Sequence, residues 1–412
     1  MNGIKLKLSL LSMICACAVS VAQNARIDGL GGLGIFEDIS HILYYPGGVN
    51  DYPDHVTGTV ASYTDTAGDN VEYFGPFIAT KSVGRTFTIG ILANTVYESG
   101  SSILSSNFYY DAKSFLIRQS DEYLPSSFPM IPHLLLGLDF DVLSFGMEFF
   151  IEAARFKKKI NIDTVSILRE KAVYNVGGKL STCLFLDPVW ILPIIGIGSP
   201  YIKGIEKDTA TNRFSSKNAL YLSAGGEVGA ELPAVTVVGG LFFTKENYVF
   251  KDNHHETPAT TTRSMDLYLG FSTELAKDML FGMEYDFSRW YEEVLDTNKT
   301  DGTDYKNYYT CHDIHAGVEK RVILEKVFDC IIPRAGLAYY IENYKERSEN
   351  SGSEDNDTTT NFAAYAYDAE ISAGIGIRKG IFGIDIFVNI GNWSGVFTGP
   401  RAASITLTLG KK

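Results

Sequence analysis

The chain has no internal run of 18 or more uninterrupted apolar residues. A transmembrane helix needs about 20 predominantly apolar residues, so none is expected. Cysteine is scarce, at five in 412 residues. Cys15 and Cys17 fall in an N-terminal apolar stretch, and Cys183, Cys311 and Cys330 lie far apart in the rest. Such spacing is neither a disulfide framework nor a zinc pattern. Positive charge is in deficit, with 36 Lys and Arg against 49 Asp and Glu and a net charge of −13. A nucleic-acid partner is therefore not expected. The chain also lacks a Gly-x-Ser-x-Gly elbow, a His-Glu-x-x-His helix and a Lys-Ser/Thr-terminated phosphate loop, the usual local signs of catalytic or nucleotide chemistry. Neither enzymatic activity nor a cofactor is expected.

What the chain has is alternation. Met265, Leu267, Leu269 and Phe271 interleave with Ser264, Asp266, Gly270 and Ser272. Phe281, Met283, Tyr285 and Phe287 interleave with Gly282, Glu284, Asp286 and Ser288. The last segment sets Ile405, Leu407 and Leu409 against Ser404, Thr406 and Thr408. Successive strand side chains point to opposite faces, so each segment has one oily and one wet face. Hydrophobic content of 45% with 13% aromatics excludes disorder. A soluble sandwich would place the wet face outward, whereas a membrane barrel places it around a lumen.

Strands are expected at 56–64, 71–81, 85–95, 132–141, 143–154, 172–186, 188–201, 216–230, 235–250, 262–275, 279–294, 307–321, 328–345, 359–379, 381–394 and 402–410. Many exceed the usual length of sandwich strands, and no short repeat suggests a solenoid. Short connections near Ser82–Gly84, Val142, Asp187, Leu232–Ala234, Ala276–Asp278, Val322–Val327 and Gly380 alternate with long polar ones such as Asp252–Thr261, Thr297–Lys306 and Glu346–Asp357. That asymmetry and an even count predict an all-β fold, an antiparallel transmembrane β-barrel of about 14–16 strands over residues 54–412. Residues 1–22 read as a secretory signal: Lys5 and Lys7, an apolar run from Leu8 to Val19, then Ser20-Val21-Ala22. A lipoprotein cleaved at Cys17 is the rival reading. The expected location is the outer membrane of a diderm bacterium, with both termini periplasmic and barrel-assembly machinery as a partner in biogenesis. The chain ends Leu409-Gly410-Lys411-Lys412, without the terminal aromatic common in such barrels.

Ahead of the first strand stands Ala25-Arg26, then Gly29-Leu30-Gly31-Gly32, Glu37-Asp38 and Tyr45-Pro46-Gly47. This run resembles the mature start of the FadL/TodX-like outer-membrane transport superfamily, which includes the PorV-type barrels of secretion systems. Those proteins carry Ala-Arg, a Gly-Met-Gly-Gly-Ala-like run, an acidic pair and Asn-Pro-Ala. Leu30 takes the Met place, and Tyr45 stands where Asn is usual. The resemblance implies a plug, or hatch, formed by residues 23–53 inside the lumen, with Ala25, Arg26, Gly29, Gly31, Gly32, Asp38, Pro46 and Gly47 as its motif. Glycine permits close approach to a wall, and Arg26 would face lumen carboxylates. It also implies passage of small hydrophobic compounds such as long-chain fatty acids, with outer-membrane lipid and a hydrophobic ligand as partners. The alternative is a non-transporting PorV-type barrel that anchors or shuttles protein partners.

Other candidates stand on the residues alone. The connection from Val96 to Pro132 contains Ile103, Leu104, Phe108, Tyr109, Phe115 and Leu116, which read either as a groove admitting apolar ligands or as self-packing at the mouth. Gly75-Pro76 interrupts the second expected strand and Gly90 the third, and Pro193 and Pro200 fall in the seventh; each reads either as a bulge or edge at a gap in the wall or as ordinary barrel curvature. In Cys311-His312-Asp313-Ile314-His315, strand geometry puts Cys311, Asp313 and His315 on one face and His312 on the other. Lumen polarity accounts for that cluster, and no metal is expected.

Overall fold

Period-two segments leave a row of unpaired backbone groups on each edge until the sheet closes on itself. In this computed structural model they do close. The structure describes residues 30, 39–43, 45–64, 70–74, 77–94, 131–140, 142–162, 165–207, 211–251, 259–295, 303–324, 327–350, 358–392 and 402–410. The expected signal, residues 1–22, lies outside them.

Two short 3₁₀ turns come first, η1 (Ile39–Leu43) and η2 (Pro46–Asn50). Then follow β1 (Val56–Thr64), β2 (Asn70–Phe74), β3 (Phe77–Val83), β4 (Phe87–Asn94), β5 (Ile131–Asp139), β6 (Leu143–Ile162), β7 (Val165–Leu186), β8 (Val189–Lys207) and β9 (Thr211–Leu232). They continue with β10 (Val235–Lys251), β11 (Ala259–Ala276), β12 (Met279–Leu295), β13 (Thr303–Lys320), β14 (Val322–Ile323), β15 (Cys330–Asn350), β16 (Thr358–Lys379), β17 (Phe382–Asn392) and β18 (Ala402–Leu409). Neighbours pair antiparallel, and β1 joins β18 from Val56↔Leu409 to Tyr63↔Ala402.

The eighteen segments make sixteen staves. β2 and β3 are one stave, since both pair with β1 and the register slips by one residue between Val60↔Phe74 and Val56↔Ala79. The slip brackets Gly75-Pro76, where a missing N–H favours a bulge. β14 continues β13 in one register, Glu319↔Arg334 then Val322↔Ile331. A second slip, between Gly198↔Tyr221 and Lys203↔Ser215, brackets Pro200. Gly90, by contrast, sits in an unbroken ladder between Thr80 and Leu135. A Cβ there would stand 3.1 Å from the Ala79 carbonyl oxygen and 3.3 Å from the Leu135 Cβ. That glycine answers close lateral packing, not a break. Pro193 likewise pairs with Gly226 in register, its side turned outward.

Most strand positions agree with the periodicity. The largest departure is the β6–β7 hairpin, which runs on to Ile162↔Val165 through Lys157↔Glu170 and Lys158↔Arg169. Charged residues there break the alternation, so the segment reads as a loop from sequence. β7's 22 residues, at about 3.3 Å each and a tilt near 45°, rise roughly 50 Å, twice the roughly 25 Å apolar band of an outer-membrane barrel. The upper part of such a hairpin stands in water, where charge costs little.

Burial decides which face is in. Leu269 is 58% exposed and Met283 39%, whereas Glu284 is 1% and Asp286 7%. Ser404 and Thr406 are buried while Ile405 is exposed. Apolar side chains face out and ionisable ones face in, which only a lipid-embedded barrel accommodates. At the other connections, tight turns use left-handed residues: Gly84 (φ 81°), Asp278 (φ 61°) and Gly380 (φ 56°). Asp54 (φ 59°) ends the lead-in to β1. It accepts from Ser82 Oγ at 2.9 Å and pairs with the exposed Lys81, and these donors hold its carboxyl below the usual range.

Outward positions should tolerate charge by depth. Leu269→Arg, mid-strand, should cost about 2–4 kcal/mol in lipid, and Leu275→Arg, beside the β11–β12 turn and equally exposed, about 0–1 kcal/mol. Urea unfolding in vesicles checks this. Equal losses would show that the exposed apolar band is not lipid-facing.

Candidate functional site

The segment before β1 lies against the inner wall. Pro46 opens η2 with its fixed φ, and Tyr45 before it is extended (φ −117°, ψ 97°), as a residue preceding proline prefers. Gly47 N donates to Ser181 Oγ on β7 at 2.7 Å. Asn50 Nδ2 donates to Ser144 Oγ at 2.7 Å and to the Phe145 and Leu138 carbonyls at 3.1 and 3.3 Å. Two wall glycines make this approach possible. A Cβ on Gly146 would collide with Pro46 and Gly47, and one on Gly137 with Val49 and Asn50. Ile39, Ile42 and Val49 pack on Ile78, Leu92 and Leu135 of β3, β4 and β5.

Of the motif residues read from sequence, Pro46 and Gly47 are thus placed against the wall. Ala25, Arg26, Gly29, Gly31, Gly32 and Asp38 lie outside the described residues, as do Ile103, Leu104, Phe108, Tyr109, Phe115 and Leu116. η1 and η2 belong to this segment, and five-residue 3₁₀ turns are too short to leave a periodicity in the sequence. Among the described residues, the segment's ion pair to the wall is His41 Nε2 to Glu227 Oε2, 3.6 Å apart.

The wall opposite Tyr45 is apolar. On β8, Trp190, Leu192 and Ile194 face inward and are buried, while Ile191, Pro193 and Ile195 face out. With Cys183, Val238 and Phe242 they enclose Leu30 and Tyr45, and Tyr268 packs beside them. Three rings lie directly across a strand from glycine: Trp190↔Gly229, Phe242↔Gly225 and Tyr268↔Gly240. In each pair a Cβ on the glycine would strike the ring, so the rings lie flat on the wall. Phe242 and Tyr268 are stacked, 6.2 Å between centroids and 10° between planes. Glu227 sits among them. It accepts from Trp190 Nε1 at 3.0 Å and from the Tyr268 hydroxyl.

None of these panel residues was singled out from the sequence. Two signals were available. Residues 189–197 are apolar on both faces, and Tyr268 stands at a wet-face position.

Ionisable side chains elsewhere on the inner wall are bonded to one another. Glu148 on β6 pairs with His133 and lies 3.3 Å from Lys179 Nζ, all three buried. Arg334 donates to Glu319 at 2.9 Å and to Asp385 at 2.6 Å, and Arg378 grips both Asp385 oxygens at 3.0 and 2.7 Å. Cys311, Asp313 and His315 share the inner face. Cys311 Sγ donates to Asp313 Oδ1 at 3.0 Å, and His315 Nε2 lies 3.1 Å from Asp286 Oδ2. His312 points away and meets the Tyr285 hydroxyl at 2.8 Å. No group of three or more His, Cys, Asp or Glu with a metal-holding arrangement occurs among the described residues.

Glu148→Met removes the carboxylate that His133 and Lys179 share and should cost about 3–5 kcal/mol. Adding Lys179→Met should restore most of that loss in the same unfolding measurement. A double variant no better than the single one would mean that Glu148 acts through something other than this ion pair.

No protein-family model matches the chain, and no curated protein matches it in sequence. Solved barrels are similar to it. A FadL homologue of Pseudomonas aeruginosa is 8% identical, with 96% of this chain and 100% of that chain covered and a TM-score of 0.47. The Pseudomonas putida toluene transporter TodX is 8% identical over 94% and 96%, with a TM-score of 0.40. The Ralstonia pickettii toluene transporter TbuX is 9% identical over 96% and 99%, with a TM-score of 0.41.

Proposed function

We propose that this chain is an outer-membrane barrel that passes small hydrophobic compounds, closed from within by the segment ahead of β1. The observation that carries the reading is the apolar panel of Trp190, Leu192, Ile194, Val238 and Phe242 on an inner wall that elsewhere carries many ionisable side chains. A water-filled pore has no use for such a surface, since apolar groups facing water cost about 25 cal/mol per Å². An apolar solute passing through the lumen does. Residues 23–53 form the closure in this reading. The ladder hydrogen bonds around them keep the wall rigid, while the segment, held by a few hydrogen bonds and apolar contacts, is the part that leaves at lower cost. Outer-membrane lipid is the solvent of the outer face, and the short-turn end with both termini is periplasmic.

Two measurements test this. Cells with and without the protein should differ several-fold in uptake of a labelled long-chain fatty acid or a labelled monoaromatic hydrocarbon. Equal uptake of both would sink the transport reading and favour a barrel that holds protein partners. Second, Gly146→Leu should evict Pro46 and Gly47 from the wall. Purified variant in planar bilayers should then conduct at least about tenfold more than the wild type. An unchanged conductance from a correctly folded variant would mean that the segment does not close the lumen.

A further inference from the structure

The outer face of β10 to β12 changes character along its height. Nearer the short turns it is apolar: Leu241, Phe243, Leu267 and Leu269 are 38–58% exposed. Further along, outward positions carry Lys245 on β10, Arg263 on β11 and Arg289 on β12, all exposed. Lys245 stands ten residues from the start of β10, and Arg289 ten from the start of β12. At about 3.3 Å per residue and a tilt near 45°, that is roughly 23 Å from the short-turn end. The apolar band of such a barrel is about 25 Å tall. The three cations therefore lie at its far margin.

The boundary alone does not call for this arrangement. A single lysine or arginine there reaches water by extending its stem. Lys245 and Arg263 instead face each other directly across the ladder, where like charges are destabilising. Arg289 brings a third charge, opposite Met265 and so two residues along β11 from Arg263. Arg263 lies over the ring of its other cross-strand partner, Tyr291, with Cζ 5.9 Å from the centroid. Among the described residues, no ion pair joins any of the three to a carboxylate. The outward carboxylate nearest in the ladder is Glu293, and Lys306 pairs with it at 3.5 Å. Asp266, Glu284 and Asp286 of the same strands are buried on the opposite face. A chain of net charge −13 thus gathers uncompensated cations where its apolar band ends.

The position dictates the partner. Acyl chains cover the band, and lipid headgroups lie level with the cations. An anionic headgroup there removes the repulsion between Lys245 and Arg263 by lying between them. Phosphate suits the task, because ammonium and guanidinium groups bind its oxygens through charge-assisted hydrogen bonds, and arginine through two at once. We propose that Lys245, Arg263 and Arg289 form a binding site on the outer face for the phosphate-bearing headgroup of an outer-leaflet lipid, whose chains lie along Leu241, Phe243 and Leu267. The inference takes the short-turn end as periplasmic, and it stands whether or not the lumen passes a solute.

The probe is lipid A carrying two phosphates, offered in mixed detergent micelles to the full-length protein and counted by native mass spectrometry. The wild type should hold it at least about tenfold more tightly than the same lipid stripped of both phosphates. Lys245→Gln combined with Arg263→Gln should weaken retention at least about tenfold. Lys277→Gln combined with Arg321→Gln removes two exposed cations at the short-turn end and should leave retention unchanged. All four changes replace exposed side chains, and a heat-shifted gel band confirms that each variant is folded. Inorganic phosphate in millimolar excess should not displace the lipid. Equal retention of the phosphorylated and stripped lipids overturns the proposal. So does retention indifferent to Lys245→Gln with Arg263→Gln, or an equal loss in both double variants, which would report net charge alone. Full displacement by inorganic phosphate also overturns it, assigning the cluster to a free anion rather than a lipid.

Discussion

Everything in this barrel follows from an inverted solvent arrangement. The outer face is dissolved in lipid, so its Leu, Ile, Phe and Tyr side chains need no cover. The inner face is where the chain keeps its ionisable groups, and there each one needs a neighbour. A charge removed from water without a partner costs far more than folding can supply. The wall therefore carries bonded sets, each formed across adjacent strands. Glu148 lies between His133 and Lys179, and Asp385 between Arg334 and Arg378. Closure of the ladder at β1 and β18 does the same for the backbone, since an open edge in lipid would leave N–H and C=O groups unsatisfied.

The inner segment exploits what this wall leaves open. Gly137 and Gly146 remove side chains where the backbone of Val49, Asn50, Pro46 and Gly47 must come close. Ser144 and Ser181 offer short hydroxyls at the same places. On the far wall the logic changes from polar to apolar, and glycines serve to seat aromatic rings rather than a chain. One segment thus touches a hydrogen-bonding surface at β5–β7, an aliphatic one at β3–β5 and an aromatic one at β8–β11.

Much of the fold was legible. Alternation marked most of the sixteen staves, β8 with its two apolar faces excepted, and Gly, Pro and Asp marked the short turns, because a two-residue period and a tight turn are local properties. Reading stopped where local rules stop. The charged ladder of β6 and β7 looked like a loop, since lysine and arginine have no strand signature and pairing partners are not written in one segment. Gly90 looked like a break because sequence does not show that Ala79 and Leu135 crowd it. The candidate site was less legible. Pro46 and Gly47 stood out by resemblance, but Trp190, Phe242, Tyr268 and Glu227 did not, since each is unremarkable in its own strand.

By itself the sequence determined that this chain makes strands, that most have an oily and a wet face, and that the wet face is rich in acidic residues. Those are consequences of side-chain type and a backbone that turns over at every residue. Only the tertiary structure decided which face is inside, because that depends on closing the sheet. Only it brought Glu227 to Trp190 and Tyr268, and Tyr45 onto Phe242, because those contacts cross strands far apart in sequence. Register and curvature set them, and neither is a property of any single segment.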